Sequence, residues 1–238
     1  MPRLVGVLAS LLLLVAAATV SLLAPATLAQ VPVPASPDDP LEGWRLGGSI
    51  QAHRDDYRDF RCAPSVVAPD LTFCRRIRFA RDRHGSYDVM YSFLHTRAGT
   101  LVYVDRYQRP AFLDELAARR VIDHISSVRG EPVHTSTMPQ RPGLPDGILA
   151  VWGATELEPL VEARVAMIAK GQVQGTEFLV DYLVDVVRSA RERLPIYRFG
   201  GGPGFVWLAG LDPGGQNTRA SGFLRMTAVD VSAIAKYR

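Results

Sequence analysis

The run VMYSFLHTRAGTLVYV, residues 89–104, constrains the fold more than any other stretch of the chain. Two segments rich in Val, Tyr, Phe and Leu flank Arg97, Ala98 and Gly99. Glycine supplies the positive φ that a tight reversal needs, and β-branched and aromatic side chains suit a pleated, half-buried surface. The pattern predicts an antiparallel hairpin pairing residues 87–96 with 100–107.

Other segments add strands. LTFCRRIRFA, 71–80, alternates, with Phe73, Arg75, Ile77 and Phe79 on one side and Cys74, Arg76 and Arg78 on the other. ILAVWG, 148–153, reads as a short buried strand. PIYRF, GFVWLAG and GFLRMTAVD read as three more, with GGGP and DPGGQNTRAS as the loops between them.

Helices are predicted between these strands. Ser49 is placed to cap a short helix, 49–60, with Ile50, Tyr57 and Phe60 on one face. A second helix runs from Pro110 in its first turn to Gly130 past its end, with an apolar stripe of Leu113, Leu116, Val121, Ile125 and Val128. Residues 136–147 read as a loop. Thr155 and Glu158 have capping-box spacing at the head of a third helix ending at Gly171. A fourth spans 176–194. Hairpins with helices between them predict an α+β fold, a mostly antiparallel sheet with three to four helices packed on it.

The first 29 residues carry one charge, Arg3, then an almost wholly apolar run, Leu4 to Leu23, then small residues up to Ala29. That is the pattern of a signal peptide cleaved after Ala29. An uncleaved membrane anchor is the other reading, since the run approaches the roughly 20 residues that span a bilayer. QVPVPASPDDP, 30–40, reads as a Pro-rich leader, and the domain is expected over 41–238 with a sub-boundary near 153–175. The expected location is periplasmic or extracellular. The formal net charge is +3, or +2 without Arg3, which argues against nucleic acid as a partner. The basic residues are 25 arginines and only Lys170 and Lys236.

Export bears on the cysteines. Cys62 and Cys74 are the only two, and they enclose 11 residues. An oxidising compartment favours their pairing. Cys-x-x-Cys is absent, and no His lies in the loop to build a zinc site. The expectation is a structural disulfide, stabilising by roughly 2.5 to 3 kcal/mol through loop closure.

The series WRLGGS, Cys62, Cys74, VMYSFLHTRAGTLVYV, VRGEP and GILAVWG resembles a pattern in uncharacterised exported bacterial proteins with a two-cysteine α+β domain. The resemblance covers about 44–153 and implies architecture only, with no catalytic residue to carry over.

Candidate sites are few. Arg75, Arg76 and Arg78, followed by Arg81 and Arg83, form a basic run that suits an anionic surface or an ordinary solvated strand face. Trp152 and Trp207, with Phe205 and Tyr197, suit a ligand pocket or core packing. FGGGPGF, 199–205, lacks the helix that follows a phosphate loop, so it is expected to be a hairpin loop. His95 with Ser92 and Asp105, or Asp181 with Asp185, are the only groupings that suggest hydrolytic chemistry. No nucleophile elbow, metal motif or cofactor motif is present. The sequence points to a non-catalytic binding or envelope-associated module, with an envelope protein or anionic envelope component as partner; an envelope hydrolase is the alternative.

Overall fold

The computed structural model describes residues 40–82, 85–109, 113–140, 142–160, 178–184, 186–212 and 222–238. The predicted signal segment, most of the leader and Pro110 lie outside them. The strands are β1 (Arg61–Pro64), β2 (Thr72–Asp82), β3 (Gly85–His95), β4 (Leu101–Arg109), β5 (His134–Met138), β6 (Gly147–Pro159), β7 (Tyr197–Gly210) and β8 (Phe223–Asp230). They form one antiparallel sheet in the order β1-β2-β3-β4-β8-β7-β6-β5. Two four-stranded meanders therefore meet edge to edge at β4 and β8, Asp105 opposite Thr227 and Tyr107 opposite Arg225.

Among the described residues the helices are α1 (Arg54–Tyr57) after a 3-10 turn (Ile50–His53), α2 (Glu115–Arg129), α3 (Phe178–Asp181), α4 (Val186–Glu192) and α5 (Val231–Ala235). Among the described residues only α2 and α4 reach seven residues.

The predicted hairpin is β3–β4, its turn made by Gly99 at φ 83°. A Cβ on Gly99 would lie 2.8 Å from Ile50 Cγ1, because the N-terminal helical segment packs against this turn. Ser49 caps that segment, its Oγ accepting from Gln51 N. On the same side of the sheet Trp44 lies 4.2 Å from Phe93, and Phe60 lies 4.5 Å from Phe93, between ring centroids.

Several expectations are overturned. The stripe on α2 holds in part: Leu113 and Ile125 are buried as expected, but Ala118 and Ile122 are buried with them, whereas Leu116 and Val128 are largely exposed. The helix is capped by Asp114, whose carboxylate accepts from Ala117 N. Residues 134–138, mostly Thr and Ser, form edge strand β5, which takes in 136–138 of the loop expected over 136–147. Thr155 and Glu158 continue β6 and do not cap a helix; residues 161–177 lie outside the described set. The fourth helix is interrupted at Tyr182–Val184.

FGGGPGF is the middle of β7, not a loop. The glycines are there because β6 bulges between Gly153 and Thr155 and its backbone comes close. A Cβ on Gly201 would meet Ala154 O at 2.3 Å, and one on Gly204 would meet Trp152 O at 2.5 Å.

Candidate functional site

The disulfide side of the sheet carries a cluster of aromatic and polar side chains. Cys62 and Cys74 are directly paired across β1 and β2 and joined, S–S 2.06 Å. Tyr57 Oη lies 2.9 Å from His95 Nε2. His95 Nδ1 lies 2.8 Å from Thr96 O, a carbonyl that only accepts, so the Nδ1 proton is donated there and Nε2 accepts from Tyr57. Arg76 is buried on this side, stacked 4.6 Å over Phe60 and 5.3 Å from Tyr91, with Nη1 donating to Asp56 O. Trp152 and Trp207 are buried here as well; Trp152 Nε1 donates to Gly130 O at 2.9 Å.

The opposite side holds a cavity of about 630 Å³, within the range of small-ligand sites. Its floor draws on seven strands, from Arg75 and Ile77 of β2, through Asp88, Met90, Tyr107, Arg109, Phe223, Arg225 and Leu208, to Gly147 of β6 and Met138 of β5. Leu183 and Val184, in the link between α3 and α4, and Arg188, Ser189, Glu192 and Leu194 line it from above, and Pro139, Gln140 and Leu144 close the β5 end. Gly147 and Gly210 lie one step beyond the Ile148–Ala209 pair, so two neighbouring strands present no side chain to the floor at this end. Phe223 leans across Gly210, where an added Cβ would meet its ring at 2.4 Å.

One buried cluster holds roof to floor. Arg225 Nε donates to Asp105 Oδ1 at 2.7 Å, and Nη2 donates to Tyr103 Oη at 2.9 Å. Its Nη1 donates to the carbonyls of Tyr182 and Leu183. Those carbonyls lie just past the C-terminal end of α3, and the guanidinium satisfies them. This capture, with Leu183 N donating to Tyr197 O, explains the interrupted helix. Burial opposes the charge on Arg225, but Asp105 and Tyr103 outweigh it and hold its pKa above the ordinary value. Burial also raises Tyr103 well above the usual phenol range.

The basic run is split by the pleat. Arg75 faces the cavity, Arg76 is stacked on the disulfide side, and Arg78 is exposed on that same side. Arg75 makes no ion pair among the described residues, and its buried Nε has no hydrogen-bond partner. Burial lowers its pKa. Arg188, by contrast, pairs with Glu192.

The hydrolytic groupings do not assemble as the sequence suggested. Ser92 and Asp105 are directly opposite across β3 and β4, but Asp105 Oδ1 is engaged by Arg225 and Thr227, and His95 turns to Tyr57. Asp181 pairs with Arg238, and Asp185 lies outside the described residues. Among the described residues no three His, Cys, Asp or Glu side chains are grouped to hold a metal ion, and no helix is long and apolar enough to cross a membrane.

Sequence reasoning missed the cavity and the Arg225 cluster. A signal existed in the charges Asp105 and Arg225, each set in a run of strand-forming residues. No family model matches the chain, and no curated protein or solved structure was found to be similar to it.

Proposed function

We propose that the protein is an exported, non-catalytic binding module that holds one small, largely apolar ligand in the cavity between the sheet and the α3–α4 segment. The observation that carries the reading is the cavity itself, about 630 Å³ and lined mainly by Ile77, Met90, Met138, Leu183, Val184, Leu208 and Phe223. Burying apolar surface is non-directional and scales with area, so such a lining favours ligands with an apolar body. The N-terminal apolar segment and the disulfide support export.

The test uses the purified chain and the neutral fluorophore N-phenylnaphthylamine, which brightens in apolar sites. Saturable binding at one site per chain is expected, weakened at least tenfold by Val184→Trp, which fills the roof. Circular dichroism checks that the variant folds. Absence of saturable binding by the parent would sink the reading.

A further inference from the structure

The cavity is polarised along its length. The β2–β4 end carries Arg75, Arg109 and one carboxylate, Asp88, and so has an excess of one positive charge. Asp88 stands directly opposite Arg109 across β3 and β4, while Arg75 has no partner among the described residues. The two other arginines of the lining are neutralised, Arg225 by Asp105 and Arg188 by Glu192. The far end, at Met138, Leu144, Gly147 and Gly210, has no charge in its lining.

The dimensions limit what fits. Seven adjacent strands at about 4.8 Å spacing give the floor a length of about 29 Å. A cavity of about 630 Å³ lies within the small-ligand range, and a floor of that length suits an extended methylene chain laid across the strands. Ile77 is 48% exposed, and Phe79, two residues on along the same strand face, is 83% exposed. They give the charged end an apolar lip open to solvent.

We infer that the ligand is a single-chain amphiphile with an anionic head, its head at Arg75 and its acyl tail running across the sheet toward Met138. This rests on the binding reading above and adds the ligand's class and direction. A partly buried guanidinium with no partner among the described residues gains most from a carboxylate or phosphate, which it engages with two parallel N–H donors. A carboxylate and a monoalkyl phosphate share that chemistry, and the experiment separates them.

Displacement of N-phenylnaphthylamine from the full chain is measured with hexadecanoate, hexadecyl phosphate and neutral hexadecanol, all below their aggregation limits. At least one anion is expected to bind about tenfold or more tightly than hexadecanol, as one charge-assisted pair supplies. Which anion leads identifies the head. Arg75→Gln is expected to bring that anion down to the level of hexadecanol, while Arg78→Gln, on the other face, keeps the preference. Shortening the tail is expected to weaken binding by about fourfold per methylene. Equal affinity of anions and alcohol in the parent overturns the inference and leaves the binding reading standing. So does an anion preference that survives Arg75→Gln in a folded variant. If the fluorophore binds and none of the three amphiphiles displaces it, the single-chain assignment is overturned. If the fluorophore does not bind, the binding reading itself has failed.

Discussion

Arg225 and Asp105 form an ion pair at 2.7 Å across β8 and β4, with side chains 2% and 0% exposed. The pair sits where the two meanders join and also anchors the α3–α4 segment through the Tyr182 and Leu183 carbonyls. Removing one member strands the other as a buried charge, which costs about 3 to 5 kcal/mol. Asp105→Asn is therefore expected to lower the melting temperature by about 6 to 20 °C for a chain of this size. The double variant Asp105→Leu, Arg225→Met is expected to recover part of that loss, since no unpaired charge remains. Thermal denaturation followed by circular dichroism decides it. A double variant no more stable than Asp105→Asn would show that the carbonyl capture, and not the charge balance, dominates.

Alkaline pH acts on the same region. Desolvation raises the pKa of Tyr57, Tyr91, Tyr103 and Tyr107, most for Tyr103. The native state then holds phenolic protons that the unfolded chain releases near pH 10. Stability is fully present below that pH and falls as pH rises through it toward the raised native values. Melting temperatures measured from pH 8 to 11.5 should be flat to about pH 9 and then decline. Tyr103→Phe should make the decline shallower. A decline of equal slope in parent and variant would remove Tyr103 from this role.

The legible part of the fold was its local part. The β3–β4 hairpin, the alternation of β2 and the Ser49 cap each depend on residues a few positions apart, so pattern and propensity sufficed. The α2 stripe was right at Leu113 and Ile125 and wrong at Leu116 and Val128, which recur at helical spacing yet face outward, while the smaller Ala118 is fully buried. The stretch from Phe199 to Phe205 failed for a different reason. Its glycines answer to a bulge in β6, far earlier in the chain, and a close backbone approach mimics a loop in composition. The cavity was illegible because its floor takes only a few residues from each of seven strands. Alternation already put Arg75 on one face and Arg76 and Arg78 on the other, but which face carries a cavity, and that Arg76 is stacked on Phe60 while Arg78 is exposed, depends on packing from distant segments.

The disulfide gives a further expectation. It closes a loop of 11 residues and ties edge strand β1 to β2. Its loss is expected to cost on the order of 2 to 3 kcal/mol. Cys62→Ser should lower the melting temperature by about 4 to 12 °C, and reductant should lower the parent by a similar amount and leave the variant unchanged. Alkylation without reductant should modify no thiol in the parent. Two modified thiols would refute the pairing.

The glycines of β7 yield the last prediction. A Cβ on Gly204 would lie 2.4 Å from Thr155 Oγ1 and 2.5 Å from Trp152 O, the second a backbone atom of the paired strand. Neither strand moves without disturbing the ladder at the β6 bulge, so Gly204→Ala is expected to cost about 2 to 3 kcal/mol. Gly47 is the control: it has φ +74° and nothing within 4 Å of an added Cβ. Gly47→Ala carries only backbone strain, about 1 kcal/mol. Thr155→Ala in the Gly204→Ala background should restore little, because the clash with Trp152 O persists. Urea unfolding of the parent and these three variants gives the comparison. Full rescue by Thr155→Ala would locate the constraint in the threonine side chain and not in the approach of the two backbones.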